Sequence, residues 1–480
     1  MTRDFDLLKP ATEQLSWLEA GQITSVALLE LYIDRYEKLN PALNAIIAVD
    51  LDGARSQARE IDKLRAAGAH LGPLAGLPMT VKDVFDVDGL PAVSGAKRLV
   101  GRDPNVQDAD VVQLVKEAGA IVWGKTNTPM FAGDVQTYNK VYGTTNNPYD
   151  LERTPGGSSG GSAAALAAGM TPLEIGSDIG GSLRTPAHNC GICALKPTYG
   201  LISGKGHVPP SPGFDGPEAD LAVIGPMART AGDVDLLLSV LAAGSPAGST
   251  PDSVRGLRVA RWHEPDFELG RDVAAAVDSA VDLLRDSGAT IVDAKPAFTA
   301  FHLFDIYTKL LFPVLTEEAP SPLRTLARLA RPLVARRAKP GVISRASAFM
   351  AGTQSPSSIR TAQRERDHLK DACEAFFDDF DVLVAPVTAV PAIPHLTDKS
   401  LYTRFIDVDG DQVPYSVLLE WISLATTCHL PAAVVPIRQT KGGLPMGLQI
   451  IGREGDDLKV MGVARAFEVL AGTSDPPLLT

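Results

Sequence analysis

The chain has 480 residues, of which 45% are hydrophobic and 21% are charged, and its formal net charge is −12. This composition is typical of a globular protein that can bury a large core. An acidic surface repels phosphate backbones, so we expect no nucleic-acid partner.

The four cysteines are too few for a disulfide framework in a chain of this length. Cys190 and Cys193 form a CxxC pair, but a zinc site of this kind needs a second pair, and Cys373 and Cys428 are isolated. We therefore expect structural thiols, and we expect no metal and no cofactor.

No apolar run approaches the roughly 18 residues that are needed to span a bilayer. The first residues, MTRDFD, lack the apolar segment that is typical of a signal peptide. These two observations predict no membrane span and a cytoplasmic location.

The first seventy residues read mostly as helix. Apolar residues recur near a period of 3.6 from Val26 to Tyr36, with Thr24 or Ser25 as the cap, and a second helix is predicted over 51–67. Residues 74–81 then read as a buried strand. A helix over 111–118 and a strand over 120–123 follow, and this alternation predicts crossover units.

The later chain continues in the same way. The pattern is helical from 250 to about 290, and strands are predicted over 382–385, 430–437 and 447–451. We predict an α/β fold with a large central mixed, mostly parallel β-sheet that helices cover on both faces. Chemistry-bearing segments occur early and late, so 1–480 is predicted to be one domain.

We divide this domain into a helical N-terminal segment, a catalytic core, a variable substrate-side segment and a C-terminal core segment. Their approximate ranges are 1–70, 71–235, 295–375 and 376–470. Within the variable segment, 321–345 holds seven basic residues and no acidic one. It reads as a solvated helix face, a lid over the site or a contact with an anionic surface.

Two glycine-rich turns carry candidate nucleophiles. Ser158 lies in GGSSG, which matches the G-x-S-x-G elbow of α/β-hydrolases, but that fold needs a catalytic histidine downstream. Seven histidines do follow Ser158, and none lies in a segment that reads as catalytic. They are His188, His207, His263, His302, His368, His395 and His429.

The second turn presents consecutive amides directly before a hydroxyl, as Ile179, Gly180, Gly181 and Ser182. An acyl-transfer nucleophile needs such donors aimed at the developing oxyanion. Lys82 ends an apolar strand, and burial there lowers the pKa of a lysine until it serves as a base near neutral pH.

Together these segments resemble the amidase signature family over nearly the whole chain, most weakly between about 295 and 375. The resemblance rests on segments at 76–83, 124–127, 142–148, 153–162, 176–184, 190–198, 225–230, 381–386 and 443–449. They read GLPMTVKD, GKTN, YGTTNNP, RTPGGSSGGS, GSDIGGSLR, CGICALKPT, GPMART, DVLVAP and GLPMGLQ.

The resemblance implies a Ser-cisSer-Lys amide hydrolase. Ser182 is the implied nucleophile, Ser158 the relay in a cis peptide bond, and Lys82 the base. The amides of Ile179, Gly180 and Gly181 are the implied oxyanion hole. Ser159, Asp178 and Arg184 are expected to support these groups.

One segment departs from the family pattern, because Met130 stands where many members carry glutamate. By the resemblance this region lines the acyl side of the pocket. We therefore expect Ala132, Gly133 and Asp134 to contact the substrate, and we expect substitution of Asp134 to change substrate preference more than folding.

The expected function is hydrolysis of the carbon–nitrogen bond of a small-molecule amide, anilide or carbamate by water, with esterase or urethanase side activity compatible with the mechanism. A homodimer is a candidate assembly.

Three alternatives remain. One is the A subunit of a tRNA-dependent amidotransferase, which releases ammonia from glutamine for a partner; that subunit usually carries threonine where this chain has Ile179. The others are an inactive amidase-like binding protein and a histidine-dependent esterase.

Overall fold

The computed structural model describes most of the chain. The described residues are 5–104, 107–208, 219–242, 250–316, 329, 345–399, 403–472 and 477. The basic stretch 321–345 lies outside them except for Leu329 and Arg345, so its three interpretations stay predictions.

Thirteen α-helices are found in the described ranges. They are α1 (Ala11–Glu19), α2 (Ser25–Leu43), α3 (Leu51–Ala66), α4 (Asp110–Glu117), α5 (Gly160–Ala167), α6 (Arg184–Cys190), α7 (Ala231–Leu241), α8 (Arg271–Asp286), α9 (Ala300–Thr316), α10 (Arg345–Gly352), α11 (Pro356–Phe376), α12 (Ser423–Thr427) and α13 (Asp457–Ala471). Thr24 caps α2, because its side chain accepts from the Ala27 amide. Within these helices, none is both long and apolar enough to cross a membrane.

Fifteen strands lie in the same ranges. They are β1 (Ile46–Val49), β2 (Pro78–Lys82), β3 (Ile121–Thr126), β4 (Tyr138–Asn139), β5 (Gly143–Thr144), β6 (Leu173–Asp178), β7 (Cys193–Lys196), β8 (Val223–Ala228), β9 (Arg258–Arg261), β10 (Thr290–Asp293), β11 (Val382–Pro386), β12 (Phe405–Val408), β13 (Asp411–Pro414), β14 (Ala432–Gln439) and β15 (Pro445–Ile451). The predicted strands at 120–123, 382–385, 430–437 and 447–451 are present with shifted ends.

Eight strands form the large sheet in the order β10-β9-β11-β15-β14-β7-β8-β6. Helices cover both of its faces, and this mixed α/β architecture confirms the predicted fold class. The direction of the strands differs from the expectation. In the described part of the sheet, β9 pairs in parallel with β10 and β11, whereas the other five neighbouring pairs are antiparallel.

The strands alternate their side chains between two cores, as period-2 geometry requires. In β11, Val382 and Val384 join the core that α2, α7, α8 and α13 cover. Leu383 and Ala385 join the core formed with α9, α11 and α12. Both faces of this strand are buried, which explains its uninterrupted apolar sequence.

Two short strands lie in stretches that were predicted to be helical. Strand β1 interrupts the predicted helical N-terminus, and strand β9 lies inside the stretch from 250 that was predicted to be helical. Both have only four residues, which is too short for a period to separate strand from helix.

The remaining sheet near the site has the order β1-β3-β2, with β2 parallel to β3. Strand β2 ends on Lys82, and β6 ends on Asp178. The turn between β6 and α6 carries Ser182, so the two strand ends carry the predicted chemistry.

Candidate active site

Lys82 lies at the end of β2, and its side chain is completely buried. Its Nζ lies 2.7 Å from Ser158 Oγ and 3.1 Å from Ser177 Oγ, so the charged form of the lysine donates to both hydroxyls. The lysine therefore has two hydroxyl partners on different segments of the chain.

Burial lowers the pKa of Lys82 from its ordinary value to about 7, although Asp178 and Glu174 act in the opposite direction. Burial also raises the pKa of Glu174 to about 8, against hydrogen bonds that include the Thr80 hydroxyl. Glu174 is thus largely protonated at neutral pH, which weakens its tendency to hold the lysine charged. A lysine in this state can accept a proton.

Ser158 follows a cis peptide bond from Gly157. Gly157 allows a close approach, because a Cβ there would lie 2.7 Å from the Gln136 amide nitrogen and 2.8 Å from the Asp134 carbonyl oxygen. The segment around Asp134 therefore packs its backbone directly against the loop that carries Ser158.

Ser182 is buried in the turn between β6 and α6. Ser159 ties this turn to the Ser158 loop, because its amide donates to the Ser182 carbonyl oxygen at 3.3 Å. The Ser159 hydroxyl also donates to the Ser177 carbonyl oxygen at 3.4 Å and accepts from the Ser177 amide at the same distance. The predicted supporting residue thus joins β6 to both serine segments.

Asp178 and Arg184 form a fully buried ion pair across the same turn. Burial acts to raise the pKa of Asp178, but the Arg184 guanidinium and the Leu183 amide bring it below its ordinary value. Arg184 also donates to the Ile422 carbonyl oxygen, at 2.9 Å, and to Gln449 Oε1, at 2.8 Å. The pair therefore fastens the turn that carries Ser182 to the C-terminal part of the chain.

The amide of Gly181 donates to Asp178 Oδ1 at 2.9 Å. The Gly181 N–H is thus bonded to a carboxylate in this structure, whereas we expected it to serve the oxyanion. A buried charged acceptor is the stronger local partner. The peptide between Ile179 and Gly180 is oriented from the other side. The Tyr307 hydroxyl, on α9, donates to the Ile179 carbonyl oxygen at 3.3 Å.

Asp134 has both carboxylate oxygens engaged. One accepts from Arg404 at 2.6 Å and from the Tyr138 hydroxyl at 3.2 Å, and the other accepts from the Tyr415 hydroxyl at 2.8 Å. The Asp134 side chain is 8% exposed and that of Arg404 is 1% exposed. The structure thus places this carboxylate in a buried network, and substrate contact by Asp134 stays a prediction.

Ala132 ends a short 3-10 turn over Met130–Ala132, and Gly133 follows it. Phe131 and Ala132 both have positive φ angles, of 52° and 55°. Substrate contact by Ala132 and Gly133 stays a prediction.

His207 was not predicted to be a functional residue. Its Nε2 lies 3.0 Å from Ser177 Oγ, and Ser177 Oγ is the second partner of Lys82. The position follows from long-range backbone pairing between the 84–86 and 206–208 segments, so no local pattern could have found it.

Among the residues that the structure describes, no group of three or more histidine, cysteine, aspartate or glutamate side chains could hold a metal ion. The four cysteines are free and buried. The groups around Lys82 can move protons between hydroxyls and a neutral amine, which is chemistry suited to acyl transfer.

Comparison with known proteins gives the family. A family model described as Amidase matches residues 27–461. The chain therefore belongs to the amidase family. Amidase signature enzymes of known structure share its fold.

Individual proteins add detail. The A subunit of the glutamyl-tRNA(Gln) amidotransferase of Chloroflexus aurantiacus (strain J-10-fl) is 35% identical over 489 residues, which cover 94% of each chain. A crystal structure of an amidase is similar with a TM-score of 0.79 and 28% identity, covering 97% of this chain and 100% of that one. A bacterial aryl acylamidase of the amidase signature family has a TM-score of 0.78 and 25% identity, covering 97% and 96%.

Proposed function

We propose that this chain hydrolyses a carbon–nitrogen amide bond through an acyl-enzyme on Ser182. The observation that carries the proposal is the buried lysine with a pKa of about 7, which lies 2.7 Å from the Ser158 hydroxyl. A serine hydroxyl is a poor nucleophile without a base, and this lysine is suited to act as one.

In the first half of the reaction, neutral Lys82 takes the proton of Ser158 as Ser158 takes that of Ser182. The Ser182 oxygen attacks the amide carbonyl carbon, and the amides of Ile179 and Gly180 stabilise the developing oxyanion. Collapse of this intermediate breaks the carbon–nitrogen bond. The proton held by Lys82 passes back through Ser158 to the departing amine, which leaves as a neutral molecule.

In the second half, a water molecule attacks the acyl carbon and passes a proton through Ser158 to Lys82. The new tetrahedral intermediate expels Ser182, which recovers its proton by the same route, and the carboxylic acid is released. Each proton that enters the relay leaves it, so the enzyme returns to its starting state. Asp178, Arg184 and Ser159 hold the turn but exchange no proton in this cycle.

Active-site labelling tests this proposal without knowledge of the substrate. A fluorophosphonate probe is expected to modify Ser182, and peptide mass spectrometry locates the adduct. Ser182→Ala should prevent labelling, whereas the same change at the exposed Ser239 should leave it intact. A probe adduct on another residue in the unaltered protein would refute the assignment.

Two candidate roles, each with a different amide substrate, remain for this chain. Similarity to curated proteins favours the role of an amidotransferase A subunit, which takes ammonia from glutamine for a partner, because the Chloroflexus relative with that name matches almost end to end. These comparisons support this role better than that of a stand-alone amidase.

The surroundings of Ser182 favour the second candidate, a stand-alone enzyme for small amides, anilides or carbamates. A Cβ built at Gly180 would meet Tyr307 Oη at 3.5 Å and Leu419 Cδ2 at 3.7 Å, so an aromatic and an aliphatic side chain lie beside the Cα of Gly180. Ile179 adds a further apolar side chain where the A subunit usually carries threonine.

A substrate panel separates the two candidates. L-glutamine, 4-nitroacetanilide, a phenyl carbamate and the corresponding esters would be compared by kcat/KM with the purified chain. A preference for glutamine, increased by a copurifying second subunit, supports the amidotransferase role. A preference for the anilide or carbamate with no added partner supports the stand-alone enzyme. A cytoplasmic location is part of the proposal for either role, and a homodimer is the candidate assembly of the stand-alone enzyme.

A further inference from the structure

The proton relay of Lys82 has a second arm. In the proposed reaction Ser158 links the lysine to Ser182, and in the structure Ser177 connects the lysine to His207. The three successive distances from Ser158 Oγ through Lys82 Nζ and Ser177 Oγ to His207 Nε2 are 2.7, 3.1 and 3.0 Å. The proposed reaction uses the first arm only, so the second arm needs its own explanation.

Backbone hydrogen bonds fix the position of His207. The Val208 amide donates to the Val84 carbonyl oxygen at 2.6 Å, and the Asp86 amide donates to the Gly206 carbonyl oxygen at 2.9 Å. These bonds fasten the histidine segment to the residues that directly follow Lys82. The Phe85 ring packs edge-on against the imidazole, with ring centroids 5.5 Å apart.

Gly206 shows how narrow the space for this turn is. It has a φ of +84°, and a Cβ there would lie 2.5 Å from both Cα and Cβ of Ala109. A larger residue would push the backbone away from Ala109 and move His207 with it. The position of the imidazole is therefore set by backbone geometry on both of its sides.

We propose that His207 is a positioning residue for Lys82: its Nε2 accepts the Ser177 hydroxyl proton, so that Ser177 accepts from the lysine and the lysine lone pair stays directed at Ser158. This inference rests on the proposed function of Lys82 as the base. It assigns the neutral imidazole tautomer that carries its proton on Nδ1.

The numbers of donors and acceptors in this chain of groups require such an orientation. A neutral lysine amine has two N–H donors and one lone pair, and a base must present that lone pair to the Ser158 proton. The Ser177 hydroxyl has one proton. If that proton goes to His207, the Ser177 oxygen can accept only from Lys82 at this contact. If it instead points at Lys82, it occupies the lone pair that the reaction needs.

This role differs from that of a catalytic histidine in a serine esterase. In the proposed relay, Ser177, Lys82 and Ser158 stand between His207 and Ser182, so His207 exchanges no proton with the nucleophile. It acts by orienting the base.

Three variants of the full chain test the proposal. His207→Leu and Ser177→Ala remove the arm, and His207→Gln keeps an oxygen that can accept from Ser177. We expect each of the first two to lower kcat and the rate of fluorophosphonate labelling of Ser182 by about tenfold or more, with KM changed less than about twofold. His207→Gln should retain most of kcat, since it restores the acceptor.

The double variant Ser177→Ala/His207→Leu should be no slower than Ser177→Ala alone, because both changes break the same chain of hydrogen bonds. His70→Leu, a change at an exposed histidine, serves as the matched control and should leave kcat unaltered. Activity would be measured on 4-nitroacetanilide and L-glutamine, with folding monitored by circular dichroism.

Several results would overturn the proposal. If Lys82→Ala has no turnover but His207→Leu keeps nearly full turnover, His207 has no positioning role and the proposed function still holds. Turnover retained by Lys82→Ala would overturn both. If His207→Leu fails to fold, the kcat values of His207→Gln and Ser177→Ala are compared instead. Equal losses of kcat in these two variants would contradict the positioning role.

Discussion

At the scale of single residues, Lys82 shows how burial suits a common side chain to accept a proton. An exposed lysine has a pKa of about 10.4 and is protonated at neutral pH. Removal from water disfavours the charged form, and the pKa of Lys82 falls to about 7. Its partners are neutral hydroxyls, and neither Ser158 nor Ser177 restores the charge.

The pH dependence of the reaction should follow from this pKa. Only neutral Lys82 can accept a proton, so kcat/KM should rise with pH through about 7 and level off above it. The activity is thus present above the folded-state pKa and lost below it. A profile measured from pH 5 to 9 checks this, with circular dichroism at each pH. A rate that falls as pH increases from 6 to 8 in the folded protein would contradict the role of the lysine.

Loss of any member of the proposed relay should be severe. Lys82→Ala and Ser182→Ala are each expected to lower kcat by about a thousandfold or more, with Ser158→Ala close behind, because the three groups act as a unit. The double variant Lys82→Ala/Ser182→Ala should be hardly slower than either single variant. Steady-state kinetics on the best substrate of the panel measure these losses. Multiplicative losses would indicate independent roles.

At the scale of elements, the turn that carries Ser182 is held from two sides. The Asp178 carboxylate of the Asp178–Arg184 pair accepts hydrogen bonds from amides of this turn and so holds it from one side. Helix α9 reaches it from the variable segment through Tyr307. A peptide group has its N–H antiparallel to its C=O, so a donor on the Ile179 carbonyl also sets the direction of the Gly180 N–H.

Tyr307→Phe should therefore weaken the proposed oxyanion contact while preserving the packing of α9. A hydrogen bond of this kind contributes about 0.5–1.5 kcal/mol net, so we expect kcat to fall about 2- to 10-fold. The free energy of unfolding should change by a similar small amount. Kinetics and urea denaturation measure the two quantities, and Tyr36→Phe on α2 is a matched control. An unchanged kcat would show that the Tyr307 hydroxyl does not orient this peptide.

At the scale of the whole molecule, the site depends on contacts between distant parts of the chain. Arg184 reaches Gln449 and the backbone of Ile422. Asp134 meets Arg404 and Tyr415 from the C-terminal segment. The segment that carries Asp134 also packs against Gly157, so this network supports the Ser158 loop from a distance.

Asp134→Ala should therefore act mainly on stability. Removing one partner of a buried ion pair leaves Arg404 unpaired, which costs about 3–5 kcal/mol. Relative kcat/KM values across the substrate panel should change little. Denaturation and panel kinetics check the two statements, and the double variant Asp134→Ala/Arg404→Met should recover part of the stability. A large change of preference in a fully stable Asp134→Ala protein would instead favour direct substrate contact.

Local sequence was sufficient for much of the framework. The period of Val26 to Tyr36 predicted α2, and Thr24 caps it. The apolar run before Lys82 predicted a buried strand that ends on this residue. Short strands such as β9 were not predicted, because four residues contain too little periodicity to be recognised. The direction of the strands was not predicted correctly either, since it depends on the path of the connections. The sequence of a strand that is buried on both faces does not indicate its direction.

By itself, the sequence determined the family, the fold class and the segments that carry Lys82, Ser158 and Ser182, because motifs and periodicity are local properties. Only the tertiary structure decided which distant groups meet them. It placed Asp134 in a buried ion pair, used the Gly181 amide on Asp178, and brought His207 to Ser177. The physical reason is that hydrogen-bond partners and burial are set by contacts between residues far apart in the chain, and those contacts form only when the sheet and its helices assemble.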